Sequence, residues 1–419
     1  MPKKKTALTI EERLQQALVP AEEQPYEVPE NWVWVRLGAI AEIVTGGTPS
    51  KKHPEYYGGN FPFYKPSDLD QGRLTYDASE YLSEEGKNIS RIIPKNSTAV
   101  CCIGSIGKCG YLMCEGTTNQ QINSAIPKIN SLCLYYYLCT ENFVQDLLSM
   151  ASATTIAIVN KSKMESCAFP LPPLSEQQRI VERIEELLAK LDEAKERLQE
   201  VADSFAVRKA AILHKAFTGE LTKQWRRENG VRDESWEEKK LSEITENQDS
   251  KRIPLSKSQR DNMNRIYDYY GASGIIDKVD DYIFEGKKLL IGEDGANLVT
   301  RSKDIAFIAD GKYWVNNHAH ILDVKDTVLL MYLCNYINNM DLIPYVTGSA
   351  QPKLTQAKMN NIKIFLPTLP EQHEIVRLID DLLARERSAQ QAADQALASI
   401  DLMKKSILAR AFRLSLIHI

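Results

Sequence analysis

The sequence predicts an α+β protein built as a tandem duplication, in which a globular α/β domain and a long helix are followed by a second globular α/β domain and a second long helix. Two observations carry this. The segment Leu171-Pro172-Pro173-Leu174-Ser175-Glu176-Gln177-Gln178-Arg179-Ile180 recurs as Leu366-Pro367-Thr368-Leu369-Pro370-Glu371-Gln372-His373-Glu374-Ile375. The offset of 195 residues then holds without a gap as far as Phe217 and Phe412. Weaker echoes stand in the same order ahead of each copy.

Each copy opens as a helix start. Prolines precede the apolar run, Ser175 suits a cap and Pro370 a first turn, and Glu176 and Glu371 sit where the helix dipole favours a negative charge. In the first copy apolar residues recur at alternating spacings of four and three, at Ile180, Ile184, Leu187, Leu191, Ala194, Leu198, Val201 and Phe205, with Ile212 further on. That is a coiled-coil seam. The second copy keeps it with smaller residues, at Ile375, Ile379, Leu382, Ala389, Ala393, Ala396, Ile400, Met403 and Ile407, with Glu386 as its one polar intrusion. Small residues let helices approach closely, so the two copies are expected to pack on each other. Some forty residues at about 1.5 Å rise make a rod of roughly 60 Å.

Length and composition set further bounds. At 419 residues and 43% hydrophobic, the chain is long enough for two to four domains with real cores. No apolar run approaches the ~20 residues of a membrane span, and Met1-Pro2-Lys3-Lys4-Lys5 is not followed by an apolar signal core. A cytoplasmic protein is expected. Eight cysteines without a Cys-x-x-Cys pair read as reduced, mostly buried thiols. The net charge of −4 announces no global attraction to nucleic acid, so any DNA binding must come from local patches or a basic partner.

In chain order, Thr9-Ile10-Glu11-Glu12 has the form of a capping box, and Leu14 and Leu18 give the helix behind it an apolar face before Pro20 stops it. A first domain begins near Trp32–Leu37, whose alternation reads as a strand. Thr98–Ile103 and Ile122–Ile129 read as short strands, with glycine and proline turns before them at Gly46-Gly47-Thr48-Pro49 and Gly58-Gly59-Asn60. Tyr135–Met150 reads as one helix leading back to the rod. The first long helix ends at Ala216-Phe217-Thr218-Gly219, where glycine suits the left-handed position. Charged residues Lys223–Lys240 read as a connector. A second domain opens at Trp236, with Trp236, Leu241 and Ile244 matching Trp32, Leu37 and Ile40 at an offset of 204. Leu290–Gly295 echoes Cys102–Gly107, and Asn316-Asn317-His318-Ala319-His320 echoes Asn119-Gln120-Gln121-Ile122-Asn123. Between the echoes the domains differ almost everywhere, as expected when the helices assemble something and the domains read two different things.

Catalytic constellations are scarce. A methyltransferase needs a glycine-rich cofactor loop and an Asn/Asp-Pro-Pro-aromatic turn for a flipped base, yet the only Pro-Pro is Pro172-Pro173. A translocating ATPase needs Gly-x-x-x-x-Gly-Lys-Ser/Thr, and Gly104-Ser105-Ile106-Gly107-Lys108 lacks both the spacing and the hydroxyl. Asp281 with Glu285-Gly286-Lys287 loosely matches a metal nuclease, a composition that charged turns share. His318 and His320 fall on one face of a strand as in a metal site, but without a third ligand a packed, hydrogen-bonded core histidine is the expectation, and no metal. The pairs Gly104/Gly107 and Gly292/Gly295 suit either a phosphate approach or tight hairpin turns. Basic residues in loop-like segments, Lys51, Lys52, Lys65, Lys108, Lys251, Arg252, Lys257, Arg301 and Lys303, with Ser67, are the candidates for contacts to phosphates and base edges.

Taken together, these residues resemble the DNA specificity subunit of a type I restriction-modification enzyme over nearly the whole chain. The resemblance rests on Pro172–Gln177 and Leu366–Gln372, on Lys209–Leu221 closing the first helix, and on Thr45-Gly46-Gly47-Thr48-Pro49-Ser50. Tyr269–Ile276 through Asp294-Gly295, and Asn316–His320, complete it. It implies two target recognition domains, each reading half of a split, asymmetric DNA site, held apart in a pseudo-two-fold arrangement by two helices paired as an antiparallel coiled coil. The corresponding boundaries are an N-terminal helix and connector over 1–30, the first recognition domain over 31–170 and the first spacer helix over 171–221. A connector and the second domain follow over 222–365, and the second spacer helix over 366–419. The helices are expected to dock two modification subunits through Glu176, Gln177, Ile180, Ile184, Leu187, Leu191, Phe217, Glu371, Gln372, Ile375, Ile379 and Leu382. The chain itself is then non-catalytic and holds no cofactor, with S-adenosylmethionine on the modification subunits and ATP and Mg on separate restriction subunits. A coiled-coil scaffold that reads no DNA is the alternative. One departure is the end: after Phe412 the Thr-Gly-Glu-Leu that follows Phe217 is missing, so the residues beyond are expected to be a truncation or read-through.

Overall fold

The computed structural model describes residues 10–152, 157–348 and 350–413. Thr9 of the expected capping box and the residues after Arg413 lie outside them. By contact the chain divides into two units, the first made of the residues up to Leu198 together with those from Gln395 onward, the second of Gln199–Asp394.

In the first unit, β1 (Val33–Arg36) pairs antiparallel with the strand that ends the domain (Ala168–Leu171), so the chain leaves beside the point at which it came in. Strand β2 (Ala41–Thr45) follows a single helical turn, and β3 spans Tyr57–Tyr64, β4 Glu80–Leu82, β5 Thr98–Cys101, β6 Cys109–Tyr111, β7 Thr117–Thr118, β8 Ile122–Pro127 and β9 Ala168–Leu171. They form a four-stranded sheet in the order β2-β8-β5-β6 and a three-stranded sheet β4-β3-β7. Strand β5 is buried at every position, as expected of a strand covered on both faces.

The second unit repeats the plan with β10 (Glu237–Lys240), β11 (Glu246–Asn247), β12 (Tyr267–Gly271), β13 (Gly274–Val279), β14 (Phe284–Glu285), β15 (Lys288–Gly292), β16 (Ala306–Ala309), β17 (Lys312–Val315), β18 (Ala319–Asp323) and β19 (Lys363–Leu366). Its sheets run β11-β18-β15-β16 and β13-β12-β17-β14, with β10 and β19 as the closing pair. Trp32 and Trp236 lead into equivalent strands, as their spacing implies. The echo between Cys102–Gly107 and Leu290–Gly295 is out of register, because Cys101 lies opposite Ile122 while Gly292 lies opposite Ala319. The counterpart of Cys101 is therefore Gly292. Gly104 and Gly107, with φ of +80° and +86°, make the tight β5–β6 turn, whereas Gly292 is a strand residue with the Ala272 carbonyl against it.

The first long helix covers Leu174–Asp203 and Phe205–Phe217, interrupted at Ser204, and the second runs unbroken over Leu369–Ala411. In the first unit Lys404 pairs with Asp192 at 2.5 Å and Lys195 with Asp401 at 3.7 Å, so the two helix segments run antiparallel. In the second unit the polar intrusion Glu386 receives Arg208 at 2.8 Å, and Leu213 joins Ile375, Val376 and Ile379 in one core. Phe217 closes edge-on against Tyr332 and Tyr336 at 5.4 and 5.0 Å, and Phe412 does the same to Tyr137 at 5.2 Å. Tyr137 and Tyr332 are themselves 195 residues apart, so the repeat includes the aromatic socket as well as the helix that fills it.

Several expectations change. Helix one begins at Leu174 with the Pro173 carbonyl accepting from Glu176 and Gln177, so Ser175 lies inside the first turn instead of capping it. Val201 and Met403 are 45% and 50% exposed and Ala389 faces solvent, with the half-buried Ala202 in place of Val201, because a helix of 3.6 residues per turn drifts away from a strict 3.5-residue repeat. Tyr135–Met150 is two helices, Ser131–Leu138 and Glu141–Ser149, since the Thr140 hydroxyl accepts from Phe143 N–H and starts the second. Leu14 is 58% exposed, so the helix Ile10–Ala17 has no buried face there. The stretch Lys223–Lys240 holds a short helix, Lys223–Glu228, with Arg226 buried, followed by β10. Gly219 adopts φ +74° as expected, and all eight cysteines are free thiols, five of them buried. Among the described residues no helix is long and apolar enough to cross a membrane.

Candidate nucleic-acid interface

The ten predicted contact residues fall into three situations. Lys51 and Lys52 are exposed on the loop between β2 and β3. That loop is pinned at several points: Gly47 N–H donates to Thr118 O at 2.8 Å, Tyr57 OH to Pro49 O at 2.6 Å and Ser83 Oγ to Glu55 O at 2.6 Å. His53 stacks on Tyr56 with ring centres 5.0 Å apart. The loop tip is therefore a rigid platform carrying two ammonium groups. In the second domain Lys251 and Lys257 are exposed on the loop after β11, and Lys303 on the loop before β16. The β11 loop is pinned in the same manner, by Trp314 Nε1–H to Ile253 O at 2.6 Å and Arg260 Nη1 to Leu255 O at 2.5 Å. Among the described residues no carboxylate lies within ion-pair distance of these five lysines.

Lys65 and Lys108 are half-buried and paired, with Glu80 at 2.9 Å and Asp70 at 2.7 Å. Ser67 leads into the short helical segment Asp68–Leu74, whose Asp68 carboxylate accepts from Lys65 N–H and Ser79 N–H. Their charge is largely cancelled locally.

Arg252 and Arg301 serve the fold. Arg252 reaches Glu293 at 2.7 Å, Ala319 O at 2.6 Å and Asp249 at 3.4 Å. Arg301, at φ +49°, donates to the carbonyls of Ile337, Asn338 and Met340, closing the end of the helix Thr327–Asn339. Burial pulls its guanidinium below the ordinary value. No local sequence signal marks the role of Arg301, whose partners lie 36 or more residues away, and for Arg252 only Asp249 is near in sequence while Glu293 and Ala319 are 41 and 67 residues off.

The two histidines separate. His320 is the buried one: Nδ1 faces Asp249 at 2.6 Å and Nε2 the Leu354 carbonyl at 2.7 Å. His318 is half-exposed and held by Asp294 at 2.8 Å. Burial pushes the Asp249 carboxyl up, but the hydrogen bond and charge of His320, the Ile321 N–H and Arg252 outweigh it and hold the group below its usual value. Glu293 behaves alike, with burial opposed by Arg252, His320 and Lys353. Asp281 and Glu285 are exposed, and Lys287 reaches Asp310 only at 4.0 Å. Among the described residues no group of three or more His, Cys, Asp or Glu is placed to hold a metal ion.

On the helices, Glu176 and Glu371 do more than face the dipole. Glu176 accepts from Trp32 Nε1 at 2.7 Å and Asn31 Nδ2 at 2.5 Å. Glu371, fully buried, accepts from Trp236 Nε1 at 3.1 Å, Thr222 Oγ1 at 2.7 Å and Arg226 Nη1 at 2.6 Å. Each long helix thus grips the tryptophan that leads into its own domain, a coupling legible in hindsight from two repeated Glu and two repeated Trp. Gln177 and Gln372 donate back to the Pro172 and Pro367 carbonyls at 2.9 and 2.7 Å. Ile180, Ile184, Ile375 and Ile379 are buried in the chain's own cores, and Leu187, Leu191, Leu382 and Phe217 are half-buried. What the helices leave exposed is mostly charged and polar, with Val201, Val207, Leu402 and Met403 as exposed apolar residues among them.

Comparison with known proteins agrees with this geometry. The family model described as type I restriction modification DNA specificity domain matches twice, over residues 29–203 and 233–395. A putative type I restriction enzyme specificity subunit from Haemophilus influenzae is 40% identical over 147 residues, 35% of this chain and 37% of the relative. The EcoR124I/EcoR124II specificity subunit of Escherichia coli is 35% identical over 159 residues, 36% of this chain and 39% of the relative. The chain thus spans under two-fifths of those relatives in the matched stretch, whereas the StySPI specificity subunit of Salmonella potsdam, 22% identical, is covered over 89% of its length and 92% of this chain. The crystal structure of an HsdS subunit from Thermoanaerobacter tengcongensis shares the fold with a TM-score of 0.64 at 17% identity, over 94% of this chain and 99% of that one. With both globular domains and much of both helices matched, the chain belongs to the type I restriction modification DNA specificity family.

Proposed function

We propose that this chain is the sequence-reading subunit of a type I restriction-modification complex. Each recognition domain reads one half of an asymmetric bipartite DNA site, and the paired helices set the spacer and dock two methyltransferase subunits. Adenine methylation with S-adenosylmethionine, and cleavage with ATP and Mg, belong to partner subunits, and this chain contributes no catalytic group. The observation that carries the reading is the repetition of one two-sheet frame on matched helix starts while the loops that bear unpaired lysines differ. A shared frame with unlike loops is what two readers of unlike half-sites require, because base edges are read by side chains and the backbone frame only positions them. Lysines without carboxylate partners supply the phosphate contacts.

Methylome sequencing of the host with and without the gene tests this. Loss of one bipartite, asymmetric adenine-methylation motif is expected on deletion; an unchanged methylome refutes the reading.

A further inference from the structure

Both domains hold one tripeptide in the same way. Asn119 N–H donates to Tyr64 O at 3.1 Å, and Asn316 N–H donates to Tyr270 O at 3.0 Å. Each asparagine then accepts, through Oδ1, the N–H two residues on: Gln121 at 3.1 Å and His318 at 2.8 Å. The chain next turns into β8 or β18, with Ile122 opposite Cys101 and Ala319 opposite Gly292. The asparagines are 7% and 4% exposed, so the turn is a fixed part of the frame.

The two side chains mounted on that turn differ between the domains, Gln120-Gln121 in one and Asn317-His318 in the other. Gln120 and Asn317 are exposed, and His318 is 51% exposed with its ring held by Asp294 at 2.8 Å through Nδ1. That contact makes Nδ1 the donor and leaves Nε2 free on the ring's other side. Gln121 Oε1 accepts from Asn119 Nδ2 at 2.9 Å, and Gln120 bonds to Thr48 Oγ1. Cations stand beside both turns. Thr48 lies on the loop of Lys51 and Lys52, and Arg252, next to Lys251, is bonded to Ala319 O.

We propose that the residue pairs 120–121 and 317–318 are the base-edge readers of the two half-sites, with Asp294 as the residue that positions His318. The proposal rests on the DNA-reading function above. Uncharged side chains with fixed donor and acceptor atoms are what base edges demand, Asn and Gln above all for adenine, while flanking lysines take the phosphates. Positions that share a backbone and differ in side chain are where two readers of unlike sequences have to diverge.

The test uses the assembled complex with its methyltransferase partner and the double variant N317Q/H318Q, which places the first domain's pair on the second domain's turn. Methylome sequencing is expected to show the second half of the motif altered or relaxed and the first half intact. In titrations with a duplex bearing the wild-type motif, H318A is expected to weaken binding about tenfold or more. Affinity for an unrelated duplex and the dependence on salt should stay unchanged, and D294N should give a smaller loss of the same kind. An unchanged motif with affinity within twofold overturns the assignment. So does equal weakening on cognate and unrelated duplexes with a shallower salt dependence, which marks a phosphate contact. If the unaltered complex yields no bipartite motif, the function itself fails and the assignment with it; an intact motif indifferent to these residues overturns the assignment alone.

Discussion

Removing the Arg226 side chain should open the start of the second long helix. Glu371 has no exposed surface and its Oε1 accepts from Arg226 at 2.6 Å, with the Arg226 side chain 7% exposed. Removing one partner of such a pair leaves a buried charge that Thr222 Oγ1 and Trp236 Nε1 only partly satisfy, at a cost of about 3–5 kcal/mol. For Arg226→Met in the complex, hydrogen exchange in peptides spanning residues 219–236 and 367–380 should therefore accelerate by about a hundredfold or more. Replacing both partners, as R226M/E371L, removes the uncompensated charge and should recover part of that loss, leaving the cost of two neutral donors, Trp236 Nε1 and Thr222 Oγ1, without their acceptor. Exchange changed less than threefold in R226M, or a double variant as labile as R226M, would refute the view that this pair anchors the helix to its domain.

Four further outcomes follow from the same geometry. Phe412→Ala empties a socket whose occupant is 1% exposed and lies edge-on to Tyr137, so it should destabilise the first unit by about 3–5 kcal/mol; denaturant unfolding monitored in that unit checks it. Lys251→Ala and Lys257→Ala should each reduce the salt slope of DNA binding by about one, whereas Arg301→Ala should lower stability by about 1–3 kcal/mol through its lost carbonyl contacts and leave the slope alone. Because Asp249 and Glu293 are held below their ordinary values in the fold, the stability they contribute is fully present above about pH 5 and fades as pH falls below about 4. Asp249→Asn should flatten that acid limb, as read by unfolding at stepped pH. Deleting one heptad between Leu191 and Val201, with the matching heptad around Asp401 and Lys404, should shorten the spacer of the methylation motif by about three base pairs and leave both half-sites unchanged.

The duplication, the two helix starts and the end of the first long helix at Gly219 were legible in the sequence, because each is a local or repeated signal, whereas the break at Ser204 was not. A heptad stripe, a glycine at the left-handed position and prolines before an apolar run act over a few residues and need no knowledge of what lies across the fold. The division of the cations was not legible. Lys51, Arg252 and Arg301 look alike in a string, all basic and all near turns. Only the folded chain brings Glu293 and the Ala319 carbonyl to Arg252, and three helix-end carbonyls to Arg301, while leaving Lys51 in water. The same holds for the histidines: two residues apart, one is buried between Asp249 and Leu354 O and the other stands half-exposed on Asp294. Charge and hydrogen-bonding capacity belong to the residue, but the free energy of using them depends on burial and on partners that the fold delivers from far along the chain, 149 residues away for Thr222 and Glu371 and 212 for Asp192 and Lys404. The sequence by itself determined a tandem duplication on two matched long helices; the tertiary structure decided which polar groups hold the frame together and which remain free in solvent.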